Sequence, residues 1–203
     1  MHAPDKLFLR RGNPETYRLS LECFFVIARI DQLGVPGYCA YVEPQQREAF
    51  VAALEREGAV TVDAEAIAAA RIESGYPVFG VDMTDETIPL EAGIEDRAIS
   101  FSKGCYVGQE IIIRVLHRGG GRVARRLVGV RVEGGTPERG AKLFSGAREV
   151  GFVTSAADSP ALGPIALAYA HRDFIVPGTN VEIEIAGKRH PATISARPLI
   201  SAA

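Results

Sequence analysis

The sequence predicts an α+β protein in which a helical first part precedes a small antiparallel β-barrel. Helix-period apolar positions with start and stop signals occur before residue 75, whereas short strand-like segments between Gly and Pro turns follow residue 122. Between these parts, Arg118-Gly119-Gly120-Gly121-Arg122 is typical of a flexible join. We therefore expect one domain over residues 1–118 and a second over residues 122–203.

The first part begins with a strand and continues with two helices. Residues 35–42 start at a Pro-Gly turn and alternate as a short strand. A helix is predicted between Pro44, which suits a first helical turn, and Gly58, which stops it. The N-cap Asp63 begins a second helix, which ends at Gly75.

Two further segments of the first part are less regular. Residues 75–100 hold many turn formers and few apolar runs, which predicts a long excursion over the surface of the domain. Residues 110–117 leave two structures open, because their β-branched content favours a strand and their uninterrupted length suits a short helix.

The second part has the pattern of a barrel or sandwich. Strict alternation in residues 181–185 predicts that Val181, Ile183 and Ile185 face a core while the glutamates face water. Strands are predicted at residues 127–132, at residues 142–156 as a pair about Ser145-Gly146, and at residues 165–170, 181–185 and 192–196.

Composition excludes several classes of protein. The 203 residues are 47% hydrophobic and 24% charged with a formal net charge of −2, which favours a soluble globular protein without a nucleic-acid partner. No apolar run approaches the ~20 residues that cross a bilayer, and no secretory signal starts the chain. The three cysteines Cys23, Cys39 and Cys105 form no Cys-x-x-Cys pair. We therefore expect a cytoplasmic protein without a disulfide framework, a protein-held metal or a membrane partner.

The candidate reactive residue is Cys105, within Lys103-Gly104-Cys105-Tyr106-Val107-Gly108-Gln109-Glu110. Glycine permits close approach to the backbone, and a nearby lysine favours the reactive thiolate. Ligand contact or redox chemistry is one interpretation, and a partly buried loop cysteine is the other. His117 is the nearest histidine, but no signature links it to Cys105 as a hydrolase pair.

Charged residues near this segment have both structural and functional interpretations. Arg71 and Glu73 end the second helix as a solvated pair, or act at one site if that helix end points into it. Arg114 could pair with Glu110 on a helix, or hold an anionic ligand tail with its planar fork. A basic cluster near the join is a solvated face or attracts an anionic partner; its members are Arg118, Arg122, Arg125 and Arg126.

The cysteine octapeptide resembles the signature of the YgfZ-type folate-binding proteins, relatives of the T-protein (aminomethyltransferase) of the glycine cleavage system. Residues 70–82 resemble the shared segment R-x-E-x-G-x-P-x-x-G-x-D, and residues 88–93 follow as in that family. Residues 151–155, 159–160, 165–169 and 177–178 resemble the C-terminal barrel of both families.

The resemblance implies that tetrahydrofolate is the cofactor, bound in a central channel with the pterin edge held by Glu73. It implies that Cys105 is the working thiol in folate-dependent assembly or repair of iron–sulfur enzymes, which would be the partners. The other expected cofactor-binding residues are Arg71, Lys103, Tyr106, Gln109 and Arg114. An aminomethyltransferase-like transferase and a non-catalytic folate-binding or scaffold module are the alternatives. The family has about a hundred further residues before the matching region, so we expect this chain to lack much of the N-terminal domain.

Overall fold

The computed structural model describes residues 10–11, 16–19, 25–30, 33, 36–118 and 120–200. The chain divides into two compact units, Met1–Ala64 and Glu65–Ala203. The expected domain boundary at residues 118–122 falls inside the second unit, and the two-domain assignment built on it stays a prediction. Cys23 and Gly119 lie outside the described residues.

The first unit contains a four-stranded antiparallel sheet of order β1-β2-β3-β4. Its strands are β1 (Arg10–Arg11), β2 (Thr16–Leu19), β3 (Phe25–Ile30) and β4 (Gly37–Tyr41). A 3-10 turn at Pro44–Gln46 leads into helix α1, Arg47–Arg56. The predicted strand and first helix are thus confirmed. Proline fits the entry because a first-turn N–H has no intrahelical acceptor.

The helices before the barrel are α2 (Ala64–Glu73), α3 (Pro89–Ala92), α4 (Glu95–Ala98) and α5 (Gln109–Arg118). α2 confirms the second predicted helix, and α5 resolves the ambiguity at residues 110–117 in favour of a helix. An isolated strand there would need a pairing partner for its backbone groups, whereas a helix satisfies them internally. On α5, Ile112 is buried while Ile111 and Ile113 are exposed.

The composition of residues 75–100 predicted an excursion over the surface of the domain. The structure corrects this prediction, because part of the segment is buried. Asp82, Leu90, Glu91 and Ala92 are buried. The segment contains the one-turn helices α3 and α4, and its buried carboxylates find cationic or hydroxyl partners. Turn formers therefore marked a tightly folded segment rather than an exposed loop.

The rest of the second unit is a closed barrel of order β10-β5-β8-β7-β6-β9 with every neighbouring pair antiparallel. The strands are β5 (Arg125–Val132), β6 (Lys142–Ser145), β7 (Arg148–Ser159), β8 (Gly163–His171), β9 (Asn180–Ile185) and β10 (Lys188–Ser195). This confirms the predicted fold class and all the predicted strands. Val181 and Ile183 are buried in the barrel core, with Ile185 packed against it.

Strand β8 is buried on both faces. Its interior side chains are Ala166, Ala168 and Ala170, and its outward side chains are Ile165, Leu167 and Tyr169. The outer cluster also contains Ile72 of α2 and Leu199 of the C-terminal segment. The Leu199 N–H donates to the Glu73 carbonyl oxygen at 2.7 Å, so the chain end closes the last turn of α2. Helix α2 is thereby fixed against the outside of the barrel.

Candidate functional site

The cysteine loop, residues 103–108, precedes α5 and is exposed at Cys105. A side chain added at Gly104 would meet no atom within 4 Å, so the approach to the thiol on this side is open. The Lys103 Nζ lies 4.5 Å from the centroid of the Tyr106 ring, a cation–π distance. The charge of Lys103, two positions before Cys105, is therefore held over the ring of Tyr106, the residue directly after Cys105.

Gln109 fastens the loop to the start of α5. Its Oε1 accepts the Tyr106 N–H at 3.4 Å, while its own N–H donates to the Tyr106 carbonyl oxygen at 3.3 Å. Between them, Gly108 has φ 87°, a left-handed conformation that a side chain would strain. Of the residues expected around Cys105, Lys103 and Gln109 thus each contact Tyr106.

A pocket of about 420 Å³ lies beside this loop and is called the cysteine-loop pocket below. Tyr106, Val107 and Gly108 form one wall, and α5 contributes Ile111 and Ile112. The opposite walls come from residues 83–89 and from Phe79, Ala92 and Ile94. Most of these side chains are apolar, while Asp85 and Glu86 add two carboxylates. The volume falls within the ~300–1,000 Å³ usual for small-molecule sites.

Glu73 lies at the end of α2 and is half-buried. Its Oε1 accepts a short hydrogen bond from the Ser159 hydroxyl of β7. The same hydroxyl accepts the N–H groups of Ala161 and Leu162 at 3.2 and 3.0 Å. One carboxylate oxygen of Glu73 therefore joins α2 to the barrel, and Glu73 does not line the cysteine-loop pocket.

Arg71 forms a largely buried ion pair with Asp82. Its Nη1 lies 2.7 Å from Asp82 Oδ2, and the two side chains are 14% and 0% exposed. The same nitrogen donates to the Tyr76 carbonyl oxygen at 2.8 Å. The solvated helix-end pair with Glu73 is therefore not formed: Arg71 and Glu73 each contact a different part of the second unit.

Asp82 is the residue that sequence reasoning missed. Besides Arg71, its carboxylate accepts the Val78 N–H at 3.0 Å and the Thr154 and Ser155 hydroxyls at 2.6 Å each. The available signal was its place at the end of the family-like segment over residues 70–82, where a lone carboxylate follows turn residues. These bonds hold residues 76–83, and with them one side of the cysteine-loop pocket, against β7.

Arg114 lies exposed on α5, one turn after Glu110, which is also exposed. Within the described residues no ion pair joins them, although the helix places them at the favourable spacing. No described hydrogen bond or ion pair connects Arg114, Arg71 or Glu73 to the cysteine loop. Their assignment to cofactor binding stays a prediction.

Two members of the predicted basic cluster, Arg125 and Arg126, form separate ion pairs. Arg125 Nε donates to Glu91 Oε2 at 2.9 Å, and Arg126 Nη2 donates to Glu95 Oε1 at 2.6 Å. The side chain of Arg118 lies outside the described part. A different arginine, Arg197, donates to the Gly75 and Ala92 carbonyl oxygens at 3.1 and 2.7 Å. Burial, with the charges of Arg126 and Arg97 acting in the same direction, lowers the pKa of Arg197 to about 10.

Two negative findings apply to the described ranges. Across them, no three or more His, Cys, Asp or Glu side chains are grouped as a metal site would require. No described helix has the length and apolar character needed to cross a bilayer.

The described fold is thus α+β, with a six-stranded barrel that follows a cysteine loop containing two glycines. Residues 125–200 match the Glycine cleavage T-protein C-terminal barrel domain. The chain is 33% identical over 181 residues to the aminomethyltransferase of Streptomyces coelicolor, covering 85% of this chain and 48% of that protein. For the aminomethyltransferase of Nostoc sp. the identity is 33% over 174 residues, with 85% and 46% covered.

A solved structure agrees with these sequence matches. The glycine cleavage system aminomethyltransferase T from Bartonella henselae superposes with a TM-score of 0.79 and 25% identity, covering 92% of this chain and 52% of that one. The chain is thus similar to glycine cleavage T-proteins, and residues 125–200 are similar to their C-terminal barrel domain. The chain spans about half the length of the curated relatives it matches.

Proposed function

We propose that this chain is a tetrahydrofolate-binding protein of the T-protein superfamily and that the cysteine-loop pocket is its binding site. The observation that carries the proposal is the joint position of motif and cavity: Tyr106, Val107 and Gly108 belong to the octapeptide and also form a pocket wall. The similarity to aminomethyltransferases supports the same cofactor class. The protein acts in the cytoplasm, where the thiol stays reduced.

The residues of the pocket fit a flat heterocycle. Phe79, Ile88 and Ile111 offer apolar surface for ring faces. Asp85 and Glu86 offer carboxylates, which can accept two parallel N–H bonds from an aminopyrimidinone edge. A pterin held in this pocket would therefore use Asp85 or Glu86. When bound, tetrahydrofolate supplies a carrier for a one-carbon group.

Glu73, the expected pterin ligand, is outside this pocket and already accepts from Ser159. No hydrogen bond to its Oε2 is seen among the described residues, so this oxygen is the acceptor available to a ligand that approaches α2. Calorimetry with tetrahydrofolate separates the two placements. Loss of affinity in Asp85→Asn or Glu86→Gln supports the cysteine-loop pocket, whereas loss in Glu73→Gln with unchanged binding in both of these variants would return the pterin to Glu73.

Aminomethyl transfer to tetrahydrofolate is a more specific function, which the similarity to aminomethyltransferases supports. The relatives that match 85% of this chain are named aminomethyltransferases. Formation of methylenetetrahydrofolate in the presence of the aminomethyl-loaded lipoyl carrier protein is the direct assay. Turnover by the chain would establish this function, and its absence alongside measurable folate binding would remove it.

Folate-dependent assembly or repair of iron–sulfur enzymes is a second specific function, which the exposed thiol of Cys105 supports. Its thiol is exposed in a loop whose backbone is fixed by Gln109 and Gly108. Aminomethyl transfer gives no role to such a thiol. In cells lacking the native gene, Cys105→Ala should fail to restore iron–sulfur enzyme activity while Cys39→Ala restores it. Full restoration by Cys105→Ala would refute a working thiol.

A non-catalytic module is the third outcome of these experiments. Anaerobic titration with tetrahydrofolate that gives neither heat nor a thermal shift would favour a scaffold. Heat of binding with neither turnover nor a Cys105 requirement would favour a folate-binding module.

A further inference from the structure

A second pocket, of about 280 Å³, lies against the outer face of the barrel and is called the Tyr169 pocket below. One wall is residues 81–84 with Thr87, and the others come from β5, β7, β8 and the connection before β6. Its chemically distinctive lining residues are Thr87, Arg125, Arg139, Phe152 and Tyr169. The volume is below the usual range for drug-sized ligands, so the pocket suits a small molecule.

Tyr169 gives this pocket an unused polar group. The residue is 3% exposed, and its hydroxyl has no hydrogen-bond partner in the described part of the chain. The nearby Thr87 hydroxyl already accepts the Thr84 N–H at 2.9 Å. Burial raises the pKa of Tyr169. The Thr87 side chain is close enough to oppose this shift in part, but the two hydroxyls are not within hydrogen-bonding geometry, so the phenol keeps its proton for another acceptor. A buried hydroxyl without a partner is unfavourable and is rare unless a ligand or water completes it.

Two guanidinium groups give the pocket a positive potential. Arg125 lies 5.0 Å from the Tyr169 ring centroid and 5.8 Å from that of Phe152. Its Nε pairs with Glu91, which leaves its terminal nitrogens without a partner among the described residues. Arg139 contributes the second cation, with Nη2 on the Val81 carbonyl oxygen at 2.8 Å.

The charged residues that line the pocket, taken with their ion-pair partners, carry one uncompensated positive charge. Asp82 also lines the pocket, but its carboxylate is neutralised by Arg71. Glu91 neutralises one of the two arginines. A monoanion is therefore the charge that balances the site, and a planar carboxylate matches the fork of a guanidinium.

We propose that the Tyr169 pocket binds a small organic monocarboxylate with a flat apolar body. The phenol of Tyr169 donates to one carboxylate oxygen. Arg125 donates through its terminal nitrogens, and Arg139, which has no described carboxylate partner, supplies the uncompensated positive charge. The rings of Phe152 and Tyr169, together with Met83, contact the apolar part. This site is separate from the cysteine-loop pocket and does not depend on tetrahydrofolate binding, although Met83, Thr84 and Thr87 line both cavities.

The test is calorimetric titration with benzoate, with benzamide as the uncharged analogue of the same shape. Wild-type protein should bind one benzoate and bind benzamide at least tenfold more weakly. Tyr169→Phe keeps the ring and removes only the donor, so benzoate affinity should fall about tenfold, the effect of one charge-assisted hydrogen bond. Arg125→Gln should lower it further.

Matched variants locate the binding. Tyr41→Phe changes an exposed tyrosine, Arg148→Gln changes an exposed arginine, and Val107→Trp fills the other pocket; each should leave benzoate affinity unchanged. Urea unfolding of Tyr169→Phe should show a stably folded protein, since no described bond is lost. Absence of benzoate binding, equal binding of benzamide, or equal affinity in folded Tyr169→Phe would each overturn the proposal, and none of them would bear on folate binding.

Discussion

Replacing Asp82 with alanine is expected to destabilise the second unit by about 3–5 kcal/mol, the range for removing one partner of a buried ion pair. The change leaves the Arg71 guanidinium, which is 14% exposed, without its carboxylate. It also removes the acceptor of the Val78 N–H and of the Thr154 and Ser155 hydroxyls. Lost bonds to a charged group contribute about 1.5–3 kcal/mol each in isolation, but groups that share one carboxylate do not add.

The assay is urea unfolding followed by far-UV circular dichroism, which reports both the free energy and its denaturant dependence. For a domain of this size, the loss corresponds to a fall in Tm of roughly 10–20 °C. Asp158→Ala, which removes an exposed aspartate from the same strand as Thr154, should change stability by less than about 0.5 kcal/mol.

A double-mutant cycle isolates the ion pair. Arg71→Met should be less harmful when Asp82 is already alanine, with a coupling energy above about 1 kcal/mol. If Asp82→Ala costs less than about 1 kcal/mol, or if the two substitutions simply add, Asp82 does not fasten residues 76–83 to the barrel and this reasoning is refuted.

Three further predictions concern stability. Gly93→Ala should lower the free energy of unfolding by more than about 1 kcal/mol in urea, because φ is 64° and the new Cβ would overlap a nitrogen of Arg197. Gly104→Ala, where a Cβ meets no atom within 4 Å, should be nearly neutral, and equal effects of the two substitutions would contradict this geometry. Ser159→Ala should cost about 1–3 kcal/mol because Glu73 loses its donor, and no loss would show that contact to be incidental. The pKa of Tyr169 is raised from 10.0, so its unfolded state ionises first. Wild type should therefore lose stability relative to Tyr169→Phe as pH rises above 10, and a constant difference from pH 8 to 11 would contradict the burial of the phenol.

The barrel was predictable because its signals are local. Alternation at residues 181–185 and the turn at Ser145-Gly146 each specify a strand or a connection within a few positions. The same rule explains α2, whose N-cap and glycine stop enclose it. Residues 110–117 stayed ambiguous in sequence, because β-branched residues favour strands locally and the absence of a pairing strand within the described residues, which selects the helix, is not visible in the sequence.

The contacts of the site residues were not predictable, because their partners are distant in sequence. Glu73 meets Ser159 across 86 positions, and Asp82 meets Thr154 across 72. Spacing along one helix could therefore suggest a pair between Arg71 and Glu73 but could not reveal two separate partners. The cysteine loop was more accessible to sequence reasoning, since its contacts lie within six positions, from Lys103 to Gln109.

Anaerobic calorimetry of tetrahydrofolate with Val107→Trp tests the central proposal most directly. Val107 lines the cysteine-loop pocket yet is fully exposed, so an indole placed there can fill the pocket without disturbing the core. Val176→Trp places the same side chain at an exposed barrel position outside the pocket. We expect wild type and Val176→Trp to bind tetrahydrofolate with equal affinity and Val107→Trp to lose at least tenfold. Equal binding by all three proteins, or none by wild type, would contradict the assignment of this pocket.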